Sequence, residues 1–110
     1  APTRVVEVRD GAEAGAWEID PAAHGFGGVD AADLAGGSPE ENAAVIEAVI
    51  GGGGPPGARA AVVLNAAAAL YVGGVAPSYA DGVALATRAV DGGAGRRALE
   101  RLRAAYAGSA

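Results

Sequence analysis

The chain has 110 residues, room for one small domain, with a formal net charge of -5 that argues against a nucleic-acid binder. All eight basic residues are arginines and there is no cysteine; this excludes a lysine-built phosphate cradle or Schiff base, a thiolate nucleophile and a disulfide framework. Hydrophobic residues make up 51% of the chain, but aromatics only 5%, and there are 19 glycines, so each buried residue contributes little and the expected core is thin.

Residues 3–9 predict a strand rich in β-branched side chains, with Val6 and Val8 on the face of Arg4, and Val5 opposite them with Thr3, Glu7 and Arg9. Asp10-Gly11 is a turn signal, and residues 16–20 predict a second strand with Trp17 and Ile19 on one face, stopped by Pro21. The pair reads as a hairpin whose loop is longer than the tight two-residue kind. Residues 22–28 form a glycine-rich loop holding His24 and Phe26, and Asp30 is placed to cap a short helical turn ending near Leu34.

Ser38-Pro39-Glu40-Glu41 is a strong helix start. Ser38 can accept from an early backbone N–H, proline suits the first helical position, and Glu41 stands where a capping box needs it. Val45, Ile46, Val49 and Ile50 then form an apolar stripe. After a connector of four glycines and two prolines, residues 58–72 predict a helix that is apolar nearly all round, with Asn65 in its middle. Ser78 and Asp81 repeat the capping pattern before a helix whose inner face carries Val83, Ala86 and Val90. A last helix over 94–107 has Leu99, Leu102 and Tyr106 as its inner line, with Glu100 spaced to pair with Arg96 or Arg97.

The chemistry-bearing residues each have a plainer reading. The Gly51–Gly54 run lacks the Gly-Lys-Ser/Thr of a phosphate loop and does not follow a strand. Glu40 and Glu41 could offer carboxylates to magnesium, but helix capping accounts for both, and adjacent helical side chains diverge. Ser38 could greet an anion at its helix N-terminus, yet acidic neighbours would repel a phosphate. His24 could act as a base but has no carboxylate fixed beside it. Asn65 reads as a buried amide tied to backbone carbonyls rather than a substrate contact, Trp17 as an anchor of the hairpin, and the arginines of the last helix as a solvated face. No signal-peptide pattern appears, and the apolar run at 60–72 is too short to span a bilayer, so a cytoplasmic protein is expected.

Several segments together resemble the C-terminal part of anthranilate phosphoribosyltransferase. They are Pro2-Thr3-Arg4-Val5, Glu7-Val8-Arg9-Asp10-Gly11, Trp17-Glu18-Ile19-Asp20-Pro21, Gly25-Phe26, Leu34-Ala35-Gly36-Gly37, Glu40-Glu41-Asn42-Ala43, the run from Leu64 to Tyr71, Gly82-Val83 with Ala86, and Asp91-Gly92 with Ala94. Each piece is weak alone; their order and spacing are specific. The resemblance implies an α/β domain of the nucleoside phosphorylase/phosphoribosyltransferase kind, of which residues 1–110 supply the C-terminal part as a β-hairpin followed by about four helices. It implies a full enzyme, a homodimer, that transfers phosphoribosyl from phosphoribosyl pyrophosphate to anthranilate with magnesium, in tryptophan biosynthesis. The family's pyrophosphate loop, Lys-His-Gly-Asn segment, anthranilate-contacting arginine and magnesium-binding Asp-Glu pair all belong upstream of this stretch. No catalytic, substrate-binding or metal-binding residue is therefore assigned here. The implied partner is the N-terminal remainder of the enzyme; the alternative is a stand-alone binding or structural module on the same scaffold.

Overall fold

The computed structural model describes residues 2–109, with the side chains of residues 31, 108 and 109 excepted, so both outer limits of the 1–110 domain assignment lie outside the described residues. Strands β1 (Thr3–Arg9) and β2 (Ala12–Ile19) form an antiparallel hairpin. Two 3₁₀ turns follow, Pro21–His24 and Ala31–Leu34, and then helices α1 (Pro39–Ile50), α2 (Pro56–Val72), α3 (Tyr79–Asp91) and α4 (Ala94–Ser109). The expected hairpin and four helices are present.

The hairpin turn is tighter than expected. Arg9 pairs with Ala12 across Asp10 and Gly11, whose φ values of 52° and 78° are both left-handed. This is the two-residue turn that Asp-Gly favours, because positive φ at both positions matches the twist of the strands. β2 starts at Ala12 rather than Ala16 because a bulge absorbs one residue: Glu7 faces Gly15 and Val8 faces Glu13, leaving Ala14 without a partner. The strand face turned toward the helices carries Val5 and Glu7 from β1 with Trp17 and Ile19 from β2; Val6 and Val8 point outward, 49% and 67% exposed.

Among the described residues four helix starts are fixed by short polar side chains, the first by Asp20, which accepts from Ala22 N at 3.0 Å. Asp30 accepts from Ala32 N at 2.9 Å, Ser38 Oγ from Glu41 N at 3.1 Å, and Ser78 Oγ from Asp81 N at 3.0 Å. At α1 the bond back to the preceding chain comes from Asn42: its amide accepts from Gly37 N and donates to Gly37 O. Pro55 gives α2 no side-chain cap, and Asp33 supplies one from the second 3₁₀ turn, accepting from Gly57 N at 2.8 Å.

The core lies between α2 and α3. Val63 and Ala67 meet Tyr79, Val83, Ala86 and Val90, with Trp17, Ile19 and Phe26 packed over them. The two helices approach so closely that a Cβ on Gly82 would stand 2.7 Å from the carbonyl oxygen of Ala67. A bidentate Arg59–Asp91 pair, at 2.8 and 3.0 Å, ties the same helices at their other end. α1 adds Val49, but Ile46, expected in its inner stripe, is 56% exposed. On α4 Leu99 is half-buried, as are Ala94 and Gly95 at its start; Leu102 and Tyr106, expected to face inward, are 54% and 72% exposed.

The molecule is accordingly spread out. Its radius of gyration is 15.7 Å, against about 13 Å for a compact domain of this length. It exposes 6995 Å², against about 5400 Å² for a folded monomer of its mass.

Gly82→Ala should force α2 and α3 apart and cost about 1–3 kcal/mol; a urea unfolding midpoint that does not move would contradict this packing. Asp33→Ala removes the cap of α2 and should cost about 1 kcal/mol in the same measurement.

Candidate functional site

Between β1 and the C-terminal end of α2 lies a cleft of about 570 Å³. Its walls are β1 from Val5 to Arg9, Trp17 and Ile19 of β2, and Ala68, Tyr71, Val72, Gly74, Ala76, Pro77 and Tyr79. At its polar end three side chains converge on one carboxylate. Glu7 Oε1 accepts from Trp17 Nε1 at 2.7 Å and from the Tyr71 hydroxyl at 2.6 Å, and Glu7 Oε2 accepts from Arg9 Nη2 at 3.1 Å. Arg9 Nη2 also donates to the Tyr71 hydroxyl at 3.2 Å. Trp17 stands edge-on to Tyr71 and is tilted against Tyr79, with ring centroids 6.0 and 5.3 Å away.

The register builds this cluster. Val5 is opposite Trp17 in the ladder, and Glu7 follows Val5 by two residues on the same face; period-two alternation therefore aims Glu7 at the helices. The hydrogen bond from Tyr71 lowers the Glu7 pKa, as do those from Trp17 and Arg9, while partial burial works against them. The hydrogen bond to Glu7 in turn raises the pKa of the Tyr71 hydroxyl, and burial raises that of Tyr79, whose hydroxyl donates to Leu64 O at 2.9 Å. A carboxylate whose two oxygens are engaged and whose basicity is reduced makes a poor general base. The arrangement acts as a clamp that holds the hairpin against α2.

The other residues weighed from sequence lie apart from this cleft. Glu40 and Glu41 are exposed in the first turn of α1, and among the described residues no group of three or more His, Cys, Asp or Glu side chains could hold a metal ion. The donor set does not fit magnesium. Gly51–Gly54 turns the chain between α1 and α2, with Gly52 and Gly54 at positive φ and Gly54 backed against Val49. Ser38 is a helix cap. His24 ends the first 3₁₀ turn, edge-on to Tyr79 at 5.3 Å. Asn65 is exposed rather than buried, because α2 turns that side outward, and its amide donates to Ala61 O of its own helix at 2.7 Å. On α4, Arg103 pairs with Glu47 of α1 and Arg97 donates to Gly92 O at 3.2 Å; contacts with α1 and the helix start replace the expected pairing with Glu100.

Sequence spacing alone does not bring Glu7, Arg9 and Tyr71 together. A signal for the cluster existed: an acidic residue on the strand face opposite the outward valines needs a donor from whatever covers that face.

Comparison with known proteins fits this fold. The family model described as glycosyl transferase family, a/b domain matches residues 1–96. The chain belongs to this family. Its relatives include anthranilate phosphoribosyltransferase 2 of Streptomyces coelicolor, 50% identical over 92% of the chain, and the anthranilate phosphoribosyltransferase of Methylobacterium nodulans, 48% identical over 92%. The enzyme of that name from Methanocorpusculum labreanum is 43% identical over 91% of the chain. The chain spans only about three tenths of each relative, 30%, 29% and 29% respectively. No solved structure matches. Among the described residues, no helix of this family member is long and apolar enough to cross a membrane.

The clamp predicts an acid-sensitive hairpin. Glu7 has its pKa depressed in the folded state, so its contribution is present above the usual glutamate range and lost as pH falls through the lowered value. Emission from Trp17, the one tryptophan, should change in acid below that range. Glu7→Gln should lack the transition, and Tyr71→Phe should move it to higher pH. An identical acid profile in all three proteins would refute the clamp.

Proposed function

We propose that the chain is the C-terminal segment of an anthranilate phosphoribosyltransferase and serves it as scaffold. The full enzyme would transfer phosphoribosyl from phosphoribosyl pyrophosphate to the amine of anthranilate, in the cytoplasmic synthesis of tryptophan. The observation that carries this reading is the identity of up to 50% spread over 92% of the chain within an α/β glycosyl transferase family. A match of that breadth extends along nearly the whole segment rather than over one short motif.

The site supports a scaffold role. The polar groups of the clamp bond to one another, leaving no activated nucleophile or base in the cleft. Displacement at a sugar carbon with pyrophosphate leaving depends on groups that position the two substrates and stabilise developing charge. In this reading those groups, the magnesium ligands and the dimer contact belong to the remainder of the enzyme. The present segment would hold the sheet and substrate-binding loops of that remainder in place through α2, α3 and the hairpin. The excess exposed area is what such a segment leaves when its covering elements are absent.

The test is reconstitution. The purified chain should show no transfer to anthranilate, and adding the upstream portion of the Streptomyces coelicolor relative should restore it. Transfer by the 110 residues alone would refute the scaffold reading. A stable complex of the two parts with no gain in activity would refute the assignment to this enzyme.

A further inference from the structure

α4 is joined to the body more loosely than the other helices. The core takes no residue from it, none of its described residues is buried, and from Arg101 to Ala107 every residue is exposed. By contrast, α1, α2 and α3 each bury at least one side chain. The connector from α3 is Gly92-Gly93 alone, between Asp91 and Ala94, with Gly93 at a φ of 87°. A glycine pair leaves such a joint free to turn. The match to the family model ends at residue 96, one position beyond the place where Gly95 meets Ile50 of α1. The seam in the structure and the limit of the family match nearly coincide.

The ties of α4 to the body are largely ionic. α1 carries Glu40, Glu41 and Glu47 and no basic residue, while α4 carries Arg96, Arg97, Arg101 and Arg103 against Glu100 alone. Arg103 pairs with Glu47 across the two helices, the side chains being 60% and 51% exposed. Arg96 lies against Gly51 at the end of α1, and Arg97 donates to Gly92 O at the end of α3. Both set a cation beside the negative end of a helix. Apolar packing beneath α4 is incomplete: a cleft of about 490 Å³ lies between Ala44 and Ala48 of α1 and Leu99. Exposed charge contacts are weak and are screened by salt. The close dispersion contacts of the α2–α3 seam are not.

We propose that α4 is an arm latched by charge. It swings on Gly92-Gly93 away from α1 as ionic strength rises, while the hairpin and the α2–α3 core stay folded, and its departure opens the cleft between Ala48 and Leu99. The device is a property of these residues and does not depend on the enzyme assigned above.

The test follows backbone amide exchange in the 110-residue chain from about 0.02 to about 0.5 M salt, over which the screening length falls from roughly 20 Å to roughly 4 Å. Amides of residues 98–107 should exchange about tenfold faster at the high end, and those of α2 and α3 should change by less than about twofold. At low salt Glu47→Gln should speed α4 exchange about threefold. Glu47 lies on α1, so this change reports docking rather than the helicity of the arm itself. The exchanged pair Glu47→Arg/Arg103→Glu should return α4 to the parent rate, and Glu13→Gln, the same loss of charge at an exposed position of the hairpin, should leave it unchanged. Amides of α4 that open together with those of α2 and α3 at every salt concentration overturn the arm. An α4 that opens equally in low and high salt, or that Glu47→Gln leaves at the parent rate, overturns the charge latch.

Discussion

The approach of α2 to α3 at Gly82 and Ala67 sets the position of almost everything else. Backbone meets backbone there because one helix offers a glycine and the other a stretch of alanines. The gain is close dispersion contact over a long seam; the loss is side-chain volume, since alanine buries little apolar area. Val63, Val83 and Val90 fill what the small residues leave, and Tyr79 reaches across to donate to the carbonyl of Leu64. Once this pair is formed, Tyr71 and Tyr79 stand ready to receive Trp17, and the hairpin has a place to dock.

The hairpin would be marginal by itself, as two strands bury too little to be stable in water. It is held by Trp17 and Ile19 packed against the α2–α3 pair, and by Glu7, whose carboxylate gathers donors from β1, β2 and α2. Polar and apolar interactions divide the work. The aromatic contacts supply attraction without strict direction, and the carboxylate selects one register and one orientation. A one-residue slip of β1 would carry Glu7 to the outer face and turn Val6 inward.

The remaining surface tells of a fold with fewer layers than its faces call for. α1 and α4 meet at Ile50 and Gly95 and through the Glu47–Arg103 contact, while the outer halves of both helices keep apolar side chains in solvent. The hairpin likewise turns valines outward. On the proposed reading these features share one cause, covering elements supplied by the remainder of the enzyme, and they connect the energetics of the segment with its proposed scaffold role.

Local chemistry in the sequence was enough for the element order and most of the boundaries. Ser38, Ser78 and Asp30 cap what they were expected to cap, and Val83, Ala86 and Val90 lie inside, because capping and helical periodicity depend on neighbours within one turn. The order and spacing of short segments were likewise enough for the family. The tight Asp10-Gly11 turn was legible and was missed, since the alanines and glycine of residues 12–16 carry no alternation to mark a strand. Tertiary structure alone decided which residues gather at the cleft: Glu7 and Tyr71 are 64 positions apart, and Asp33 caps a helix 24 positions away. It also decided that Ile46, Leu102 and Tyr106 stay in solvent and that Asn65 faces outward. Periodicity shows that a helix has an apolar face; whether that face is covered depends on which other elements are there to lie against it.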